Sequence, residues 1–470
     1  MTQAKLDWAH AWLGGVTDRP SDDSRFIEKL KQQLPVLPFL ALPFAEDLIH
    51  QLEIHEEFLR SFKHMLLLGI GGSALGPRAL QRAFAPGQDR PNYDGPCLWI
   101  ADNVYPEWLQ EHLDKLVPED TLVVVVSKSG GTIETIAQYL IVLPWLQTKL
   151  PGTWQEHLFV VTDANKGFLR DEVDKYALRS LPVPDNLGGR YSVLSAVGMV
   201  PAVFLGMDWK GLIQGAISVG RPLAENPDML LDHPAWKLAR WAHQMSEAGK
   251  SQVIYFCYIP AWSTFGPWFC QLWAESLGKD GKGTMPIPAT GVTDQHSLLQ
   301  MFLDGPKDKI CLFVSTPADR KLLPMPTKLP EQWQYLKGHS FGDILDAETL
   351  ATRATLAQKD VPVVHLDMPD DSAFSAGKMM MLLEAATIFT GWLMGINPVD
   401  QPAVENSPAP VWACPAPRRT PQDWLCSPPF LRNPWISRRI SETGPYAPVR
   451  LPPMSCWKGS RLDGQSAPAS

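Results

Sequence analysis

The chain has 470 residues, a net charge of -8, 45% hydrophobic residues and 20% charged residues. This length allows two or three domains, and the acidic balance argues against general nucleic-acid binding, because no excess of cations displaces counterions from phosphates. Residues 1–19 lack a signal pattern, no apolar run has the length of a membrane helix, and the seven cysteines show no zinc spacing. We expect a cytoplasmic protein with reduced thiols and neither nucleic-acid nor membrane partners.

Short apolar runs in the first half of the chain alternate with helix-like stretches. The runs are Met65–Ile70, Cys97–Ala101, Leu122–Val126 and Leu158–Val161. Apolar runs of this length, bounded by Gly, Ser or Asp, are typical of parallel strands that are buried on both faces. They predict a doubly wound α/β unit.

A second series of strands and helices follows. Its strands are predicted at Val253–Ile259, Ile310–Val314 and Val361–Leu366, and its helices at Trp268–Leu277 and Ala376–Leu393. Residues 191–248 between the two series are expected to be helical, with Pro201 and Pro222 at helix starts or breaks. The predicted fold class is α/β, with two doubly wound, flavodoxin-like domains of mainly parallel sheets and a helical connecting region.

The composition changes near Asn406. Residues 406–470 hold 13 of the 44 prolines and 4 of the 18 tryptophans. Eight Lys or Arg against three Asp or Glu give this segment a net charge of +5, so the residues before it carry -13. A proline at about every fifth position removes amide donors and blocks helix propagation, so we expect a poorly ordered tail.

Two polar loops directly follow predicted strands. The first, Gly69–Gly76, brings Gly72 and Ser73 to the start of a helix, and the second is Ser127–Thr132. Glycines, hydroxyls and a lysine in such loops suit a bound phosphate. Two alternatives are solvated turns and, for the first loop, a weak dinucleotide fingerprint whose acidic partner would be Asp94.

Three further segments carry candidate catalytic side chains: Asn186–Ser192 with Arg190, Gln271–Lys279 with Glu275, and Thr290–Ser297 with His296. The arginine is either a rigid cation beside a ligand or a surface ion-pair residue. Apolar surroundings on its helix would raise the pKa of the Glu275 carboxyl and suit a general base, although an ordinary surface glutamate fits as well. A histidine in a polar loop is suited to proton exchange, so His296 is either a catalytic candidate or part of a simple turn.

In this order the five segments resemble the phosphoglucose isomerase family. The matching signatures are Asp185–Ser192, Glu275–Lys279 and Gly291–Ser297, and the resemblance runs from about residue 40 to Glu405. It implies two sugar-isomerase (SIS) domains, at residues 45–215 and 216–405, after an N-terminal extension, residues 1–44. It also implies a homodimer that interconverts glucose 6-phosphate and fructose 6-phosphate by an enediol mechanism, in glycolysis and gluconeogenesis, without cofactor or metal.

The resemblance also implies a role for each site residue. Glu275 would move the proton between C1 and C2, Arg190 would stabilise the enediolate, and His296 would assist ring opening from the partner subunit. The substrate phosphate and the lining of the site would involve Gly72, Ser73, Ser127, Lys128, Ser129, Thr132, Gly189, Gln271 and Gln401.

The resemblance stops inside a motif. Ile396–Glu405 is similar to the family's last signature, with Val399 at an aromatic position, but the expected Gly-Lys pair is Ser407 and Pro408 here. We hypothesise that a frameshift or a sequencing or gene-model error replaced the C-terminus, which resequencing of the coding region tests. Loss of the lysine predicts impaired ring opening, since one acid–base group contributes about 10²–10⁴-fold. The alternative is a non-catalytic SIS-type sugar-phosphate sensor.

Overall fold

Two five-stranded sheets form the framework of the chain. The computed structural model describes residues 5–19, 22–41, 46–318 and 322–405; the expectations for residues 406–470 lie outside this part. The strands are β1 (Lys5–His10), β2 (His64–Leu68), β3 (Cys97–Ala101), β4 (Thr121–Ser127), β5 (Leu158–Asp163), β6 (Arg179–Val183), β7 (Gln252–Cys257), β8 (Met285–Thr290), β9 (Lys309–Ser315) and β10 (Val363–Asp367).

Helices connect the strands and cover the sheets. They are α1 (Arg25–Gln33), α2 (Pro38–Ala41), α3 (Glu46–Arg60), α4 (Gly72–Phe84), α5 (Pro106–Lys115), α6 (Ile133–Lys149), α7 (Phe168–Tyr176), α8 (Ala196–Phe204), α9 (Trp209–Glu225), α10 (Pro234–Glu247), α11 (Phe265–Leu277), α12 (Leu299–Asp304), α13 (Phe341–Gln358), α14 (Ala373–Leu393) and α15 (Pro402–Glu405).

The first sheet is entirely parallel, in the order β3-β2-β4-β5-β6. Strands β2 to β5 correspond to the four predicted apolar runs, which are thereby confirmed. The chain leaves β2 towards β3 on one side and continues to β4 on the other. Ligands bind outside the carboxyl ends of the strands at such a switch point, which here lies between β2 and β4.

The second sheet has the order β1-β10-β9-β7-β8, and only β1 runs antiparallel to its neighbour. Strands β7, β9 and β10 confirm the second predicted series. Both sheets follow the flavodoxin-like order at their cores, so the predicted α/β fold class with two doubly wound, mainly parallel sheets is confirmed. Three strands, β1, β6 and β8, were not predicted, and each lies at a sheet edge.

The connecting region is helical, as expected, but the expectation for its prolines is wrong. Pro201 lies inside α8 and Pro222 lies inside α9, rather than at helix starts or breaks. Each proline removes only one hydrogen bond from its helix. All residues of α8 are buried, and α9 packs along α14, so tertiary packing stabilises both helices despite the missing bonds.

Helix α14 forms the centre of the helical layer. It packs against α9, α10 and α11, and most of its length is buried. This packing fixes α11 and the segment that follows α14 relative to the first sheet. In the described ranges no helix is both long and apolar enough to cross a bilayer.

Candidate active site

Two polar loops lie side by side at the carboxyl edge of the first sheet. Strands β2 and β4 are hydrogen-bonded neighbours, with Leu68 opposite Val125, so the loops that follow them meet. Helix α4 begins directly after Gly71, whose φ of 56° favours glycine, and α6 begins directly after Thr132. Both helix N-termini therefore face the same space, where their amide groups favour an anion.

Hydroxyl groups and one ammonium group complete this anion-binding arrangement. Ser73, Lys128, Ser129 and Thr132 line the cleft. Ser127 is buried behind them, and its Oγ lies 3.0 Å from Thr132 Oγ1. Ser127 therefore does not face the cleft; it orients the hydroxyl of Thr132 from the buried side.

The turn that carries Arg190 packs directly on the start of α4. A Cβ atom added to Gly72 would lie only 2.1 Å from the main-chain oxygen of Gly189. Only glycine permits this approach, because no other residue lacks a Cβ. The contact places the short 3-10 turn Gly189–Tyr191 next to the two polar loops that follow β2 and β4.

Arg190 is a buried arginine whose five N–H groups all have acceptors. Nε donates to Ser276 Oγ (2.7 Å), Nη1 to Glu275 Oε2 (3.3 Å) and Gln401 Oε1 (3.0 Å), and Nη2 to the main-chain oxygens of Pro398 (2.8 Å) and Asp400 (2.9 Å). The planar guanidinium is therefore held rigidly, and only its Nη1 edge contacts side chains of the cleft. Its side chain is 2% exposed.

Helix α11 presents Gln271 and Glu275 on one face, since they are four residues apart. Gln271 Nε2 donates to Glu275 Oε1 at 3.1 Å, while Arg190 binds the other oxygen. The expectation of apolar surroundings for Glu275 is wrong: its contacts are polar, and its side chain is 33% exposed. The apolar residues of α11 lie on its other faces, against the core.

These residues enclose a cleft of about 330 Å³. Ten of the twelve residues expected at the site line it: Gly72, Ser73, Lys128, Ser129, Thr132, Gly189, Arg190, Gln271, Glu275 and Gln401. Ser127 lies behind Thr132. His296 does not line this cleft; it lies exposed at the end of the 3-10 turn Thr293–His296, after β8.

Several residues at the site were not anticipated. Thr135 lines the cleft one helical turn after Thr132, and its buried Oγ1 has no hydrogen-bond partner within the described residues. The i, i+3 spacing on α6 is a signal that would have found it. Ser276 accepts the Arg190 Nε–H and lies 2.9 Å from the hydroxyl of Tyr191, whose pKa burial raises to about 12.

The cleft joins two chemical functions. One end offers amides, hydroxyls and the ammonium of Lys128 to an anion, and the other end offers a carboxylate beside a fixed guanidinium. A carboxylate accepts a proton from a carbon next to a carbonyl, and a guanidinium stabilises the oxyanion that forms. In the part of the chain that the structure describes, no group of three or more His, Cys, Asp or Glu residues is arranged to hold a metal ion.

Comparisons with known proteins agree with this chemistry. The sequence model described as phosphoglucose isomerase matches residues 49–314. A relative named glucose-6-phosphate isomerase, from Rubrobacter xylanophilus, is 40% identical over 379 residues, which cover 78% of this chain and 86% of the relative. A crystal structure of a hypothetical protein from Thermus thermophilus has a TM-score of 0.72 at 32% identity, over 81% of this chain and 92% of that one. A glucose-6-phosphate isomerase from Chlamydia trachomatis shares the fold, with a TM-score of 0.64 at 24% identity, over 83% of this chain and 74% of that one. The chain belongs to the phosphoglucose isomerase family.

Proposed function

We propose that this chain is a glucose-6-phosphate isomerase that interconverts glucose 6-phosphate and fructose 6-phosphate. The observation that carries the proposal is the Glu275–Arg190 pair, 3.3 Å apart, in the same cleft as two anion-binding loops. Neither the Glu275–Arg190 pair nor the anion-binding loops would specify the reaction alone. Together they suit a sugar phosphate whose phosphate is fixed at one end while a proton moves at the other.

In the proposed reaction, Ser73, Lys128, Ser129 and Thr132 hold the phosphate. Glu275 removes a proton from C2 of the open-chain aldose and returns it to C1, while the hydroxyl proton of O2 passes to O1, which gives the ketose. The negative charge that develops on the substrate oxygen in between is stabilised by Arg190. Because Arg190 Nη1 already binds Glu275 and Gln401, the substrate oxygens replace these contacts when they enter.

A turnover assay tests the proposal. Fructose 6-phosphate is incubated with the chain in D₂O, and deuterium at C1 is followed by NMR together with glucose 6-phosphate formation. We expect exchange that is abolished by Glu275→Gln. Binding of fructose 6-phosphate without exchange would instead favour the alternative, a sugar-phosphate sensor, which the missing lysine at Pro408 suggests.

A homodimer with a shared site is part of the proposal. His296 is exposed and outside its own cleft, which fits a role in the cleft of a second copy. The large exposed apolar side chains Leu322, Leu323 and Phe341 offer a surface for such a copy. Mixing Glu275→Gln chains with His296→Ala chains should restore about a quarter of the activity, since half the dimers are mixed and each has one intact site. No restoration would contradict the shared site.

The effect of the tail and the remaining assignments are also proposals. We infer impaired turnover as long as Pro408 stands at the family's lysine position, and expect recovery when residues after Glu405 are replaced by a family C-terminus containing Gly-Lys. The domain assignment is 1–44, 45–215, 216–405 and 406–470; its second and third ranges fit the two sheets, and β1, from residues 1–44, adds a strand to the second sheet. A cytoplasmic location fits the free thiols of the four described cysteines.

A further inference from the structure

Lys279 is a lysine that folds back over the end of α11. It follows Gly278, the residue that ends the helix, and its Nζ donates to the main-chain oxygens of Glu275 (2.9 Å) and Ser276 (2.7 Å). These two residues carry the carboxylate of the site and the hydroxyl that accepts from Arg190. The ammonium group thus holds the helical turn from which both side chains project.

The same ammonium group reaches the opposite wall of the site. Lys279 Nζ lies 3.5 Å from Asp400 Oδ1, a buried oxygen that receives no hydrogen bond from the described residues. The other carboxylate oxygen of Asp400 accepts from Asn397 Nδ2 at 2.9 Å. The main-chain oxygen of Asp400 accepts from Arg190 Nη2 at 2.9 Å. Lys279 therefore connects α11 to the turn that fixes the guanidinium.

This position is unfavourable for a cation. The side chain is only 8% exposed, and burial, followed by the nearby charge of Arg190, lowers the pKa of Lys279. A helix end needs no buried ammonium group, because glycine and water satisfy most helix ends. The energetic cost of burying the Lys279 ammonium group is explained if this charge holds Asp400, and through Asp400 also Arg190, against α11.

We propose that Lys279 is a positioning residue for the isomerase reaction. It acts through Asp400 and the last turn of α11 to hold Arg190 and Gln401 opposite Glu275. The inference rests on the proposed function, because it concerns stabilisation of the substrate oxyanion. It assigns Lys279 no direct contact with the substrate.

Lys282 provides a matched control. It lies three residues further along, and its Nζ donates to the main-chain oxygen of Met394 at 2.8 Å, next to the end of α14. Lys282 thus also satisfies a carbonyl at a helix end, but it contacts neither Asp400 nor a residue of the cleft. A role in capping alone predicts similar effects for the two lysines.

Two open-chain ligands separate oxyanion recognition from phosphate recognition. 6-Phosphogluconate carries a carboxylate at C1, near the carbon where the enediolate forms, whereas sorbitol 6-phosphate is neutral there. Neither needs ring opening, so the assay is independent of His296 and of the residues after Glu405. Dissociation constants for both ligands are measured by calorimetry on the full-length chain and its variants, together with urea unfolding midpoints.

We expect the unmodified chain to bind 6-phosphogluconate more tightly than sorbitol 6-phosphate. Lys279→Met should lower the affinity for 6-phosphogluconate about tenfold, as expected when a charge-assisted hydrogen bond is misaligned. The affinity for sorbitol 6-phosphate should change less than about twofold. Lys279→Arg should restore most of the loss, because it keeps the charge near Asp400. Lys282→Met should change neither affinity.

Two results would overturn the inference, and they distinguish a failure of the role of Lys279 from a failure of the proposed function. If Lys279→Met leaves both affinities unchanged or weakens both equally, whatever happens to the unfolding midpoint, Lys279 only caps α11. If the unmodified chain binds neither ligand, the proposed function itself fails and the inference fails with it.

Discussion

Replacing Arg190 with lysine tests whether this residue stabilises the fold as well as the reaction. The guanidinium makes five hydrogen bonds from three nitrogen atoms, and its side chain is 2% exposed. An ammonium group has three N–H donors on one atom, so at least two acceptors lose their donor. The main-chain oxygens of Pro398 and Asp400 are the most affected, because they lie outside the cleft that Glu275 and Gln401 line, and the hydroxyl of Tyr191 reaches the Pro398 oxygen only at 3.4 Å.

The expected magnitude follows from the orphaned acceptors. A buried polar group without a partner costs about 1–3 kcal/mol, so two of them cost about 2–6 kcal/mol. That is a large part of the roughly 5–15 kcal/mol by which proteins are typically stable. Ser276 is less affected, because the hydroxyl of Tyr191 lies 2.9 Å from its Oγ.

Urea unfolding followed by tryptophan fluorescence measures the effect. Arg190→Lys should lower the free energy of unfolding by at least about 2 kcal/mol. Arg78→Lys is the matched control: one nitrogen of Arg78 bonds to Asp102 (2.7 Å) and to the oxygen of Ile100 (3.3 Å), and its side chain is 34% exposed. A lysine can replace such a contact, so we expect less than about 1 kcal/mol. Equal, small effects of both variants would refute the reasoning.

Three further predictions concern packing and pH. Gly72→Ala should lower the affinity for fructose 6-phosphate at least about tenfold, because the new Cβ would lie 2.1 Å from the main-chain oxygen of Gly189 and displace the turn that carries Arg190. Gly220→Ala is the control and should leave the affinity unchanged, since its Cβ would have its nearest contact at 3.5 Å. Equal affinities of the two variants in calorimetry would contradict the prediction. Burial lowers the pKa of His233 to about 4, so the unfolded chain binds the extra proton and stability should fall by about 3 kcal/mol as the pH drops from 6.5 to 4. His233→Asn should remove this part of the acid sensitivity of the urea midpoint. Glu384 is fully buried, both its carboxylate oxygens lack a partner within the described residues, and burial raises its pKa. Its contribution to the stability of the fold therefore declines as the pH rises above about 4.5. Glu384→Gln should raise the urea midpoint at pH 8, and a lowered midpoint would contradict this prediction.

The central strands were predictable from the sequence, whereas three of the four edge strands were not. Six of the seven predicted strands lie inside a sheet, and the seventh, the edge strand β3, is also a continuous apolar run. The missed strands β6 and β8 contain Pro182, Pro286 and Pro288, which argue against a strand by composition but are tolerated at an edge, where one side of the strand needs no hydrogen bonds. Strand β1 is polar and pairs irregularly with β10.

The site shows the same division. Loops that follow buried strands were predictable, because parallel strands place their carboxyl ends together. The partners of Arg190 were not, since they lie 85 to 211 residues further along the chain and two of them are main-chain oxygens, which carry no sequence signal. His296 was grouped with the site by resemblance, and no local pattern indicates that its side chain is exposed outside the cleft.

The long reach of Arg190 has a consequence for synthesis. Its acceptors at Pro398, Asp400 and Gln401 lie 208 to 211 residues later in the chain. At the usual rate of about 5–20 residues per second, the ribosome needs roughly 10–40 seconds to produce them after Arg190 has been made. The strands of the first sheet and the acceptors Glu275 and Ser276 are made well before that, so the nascent chain then carries an arginine that still lacks three of its five acceptors. A stop in translation shortly before residue 398 would therefore release a chain that contains all strands of the first sheet and both Glu275 and Arg190, but not the three acceptors that hold one side of the guanidinium.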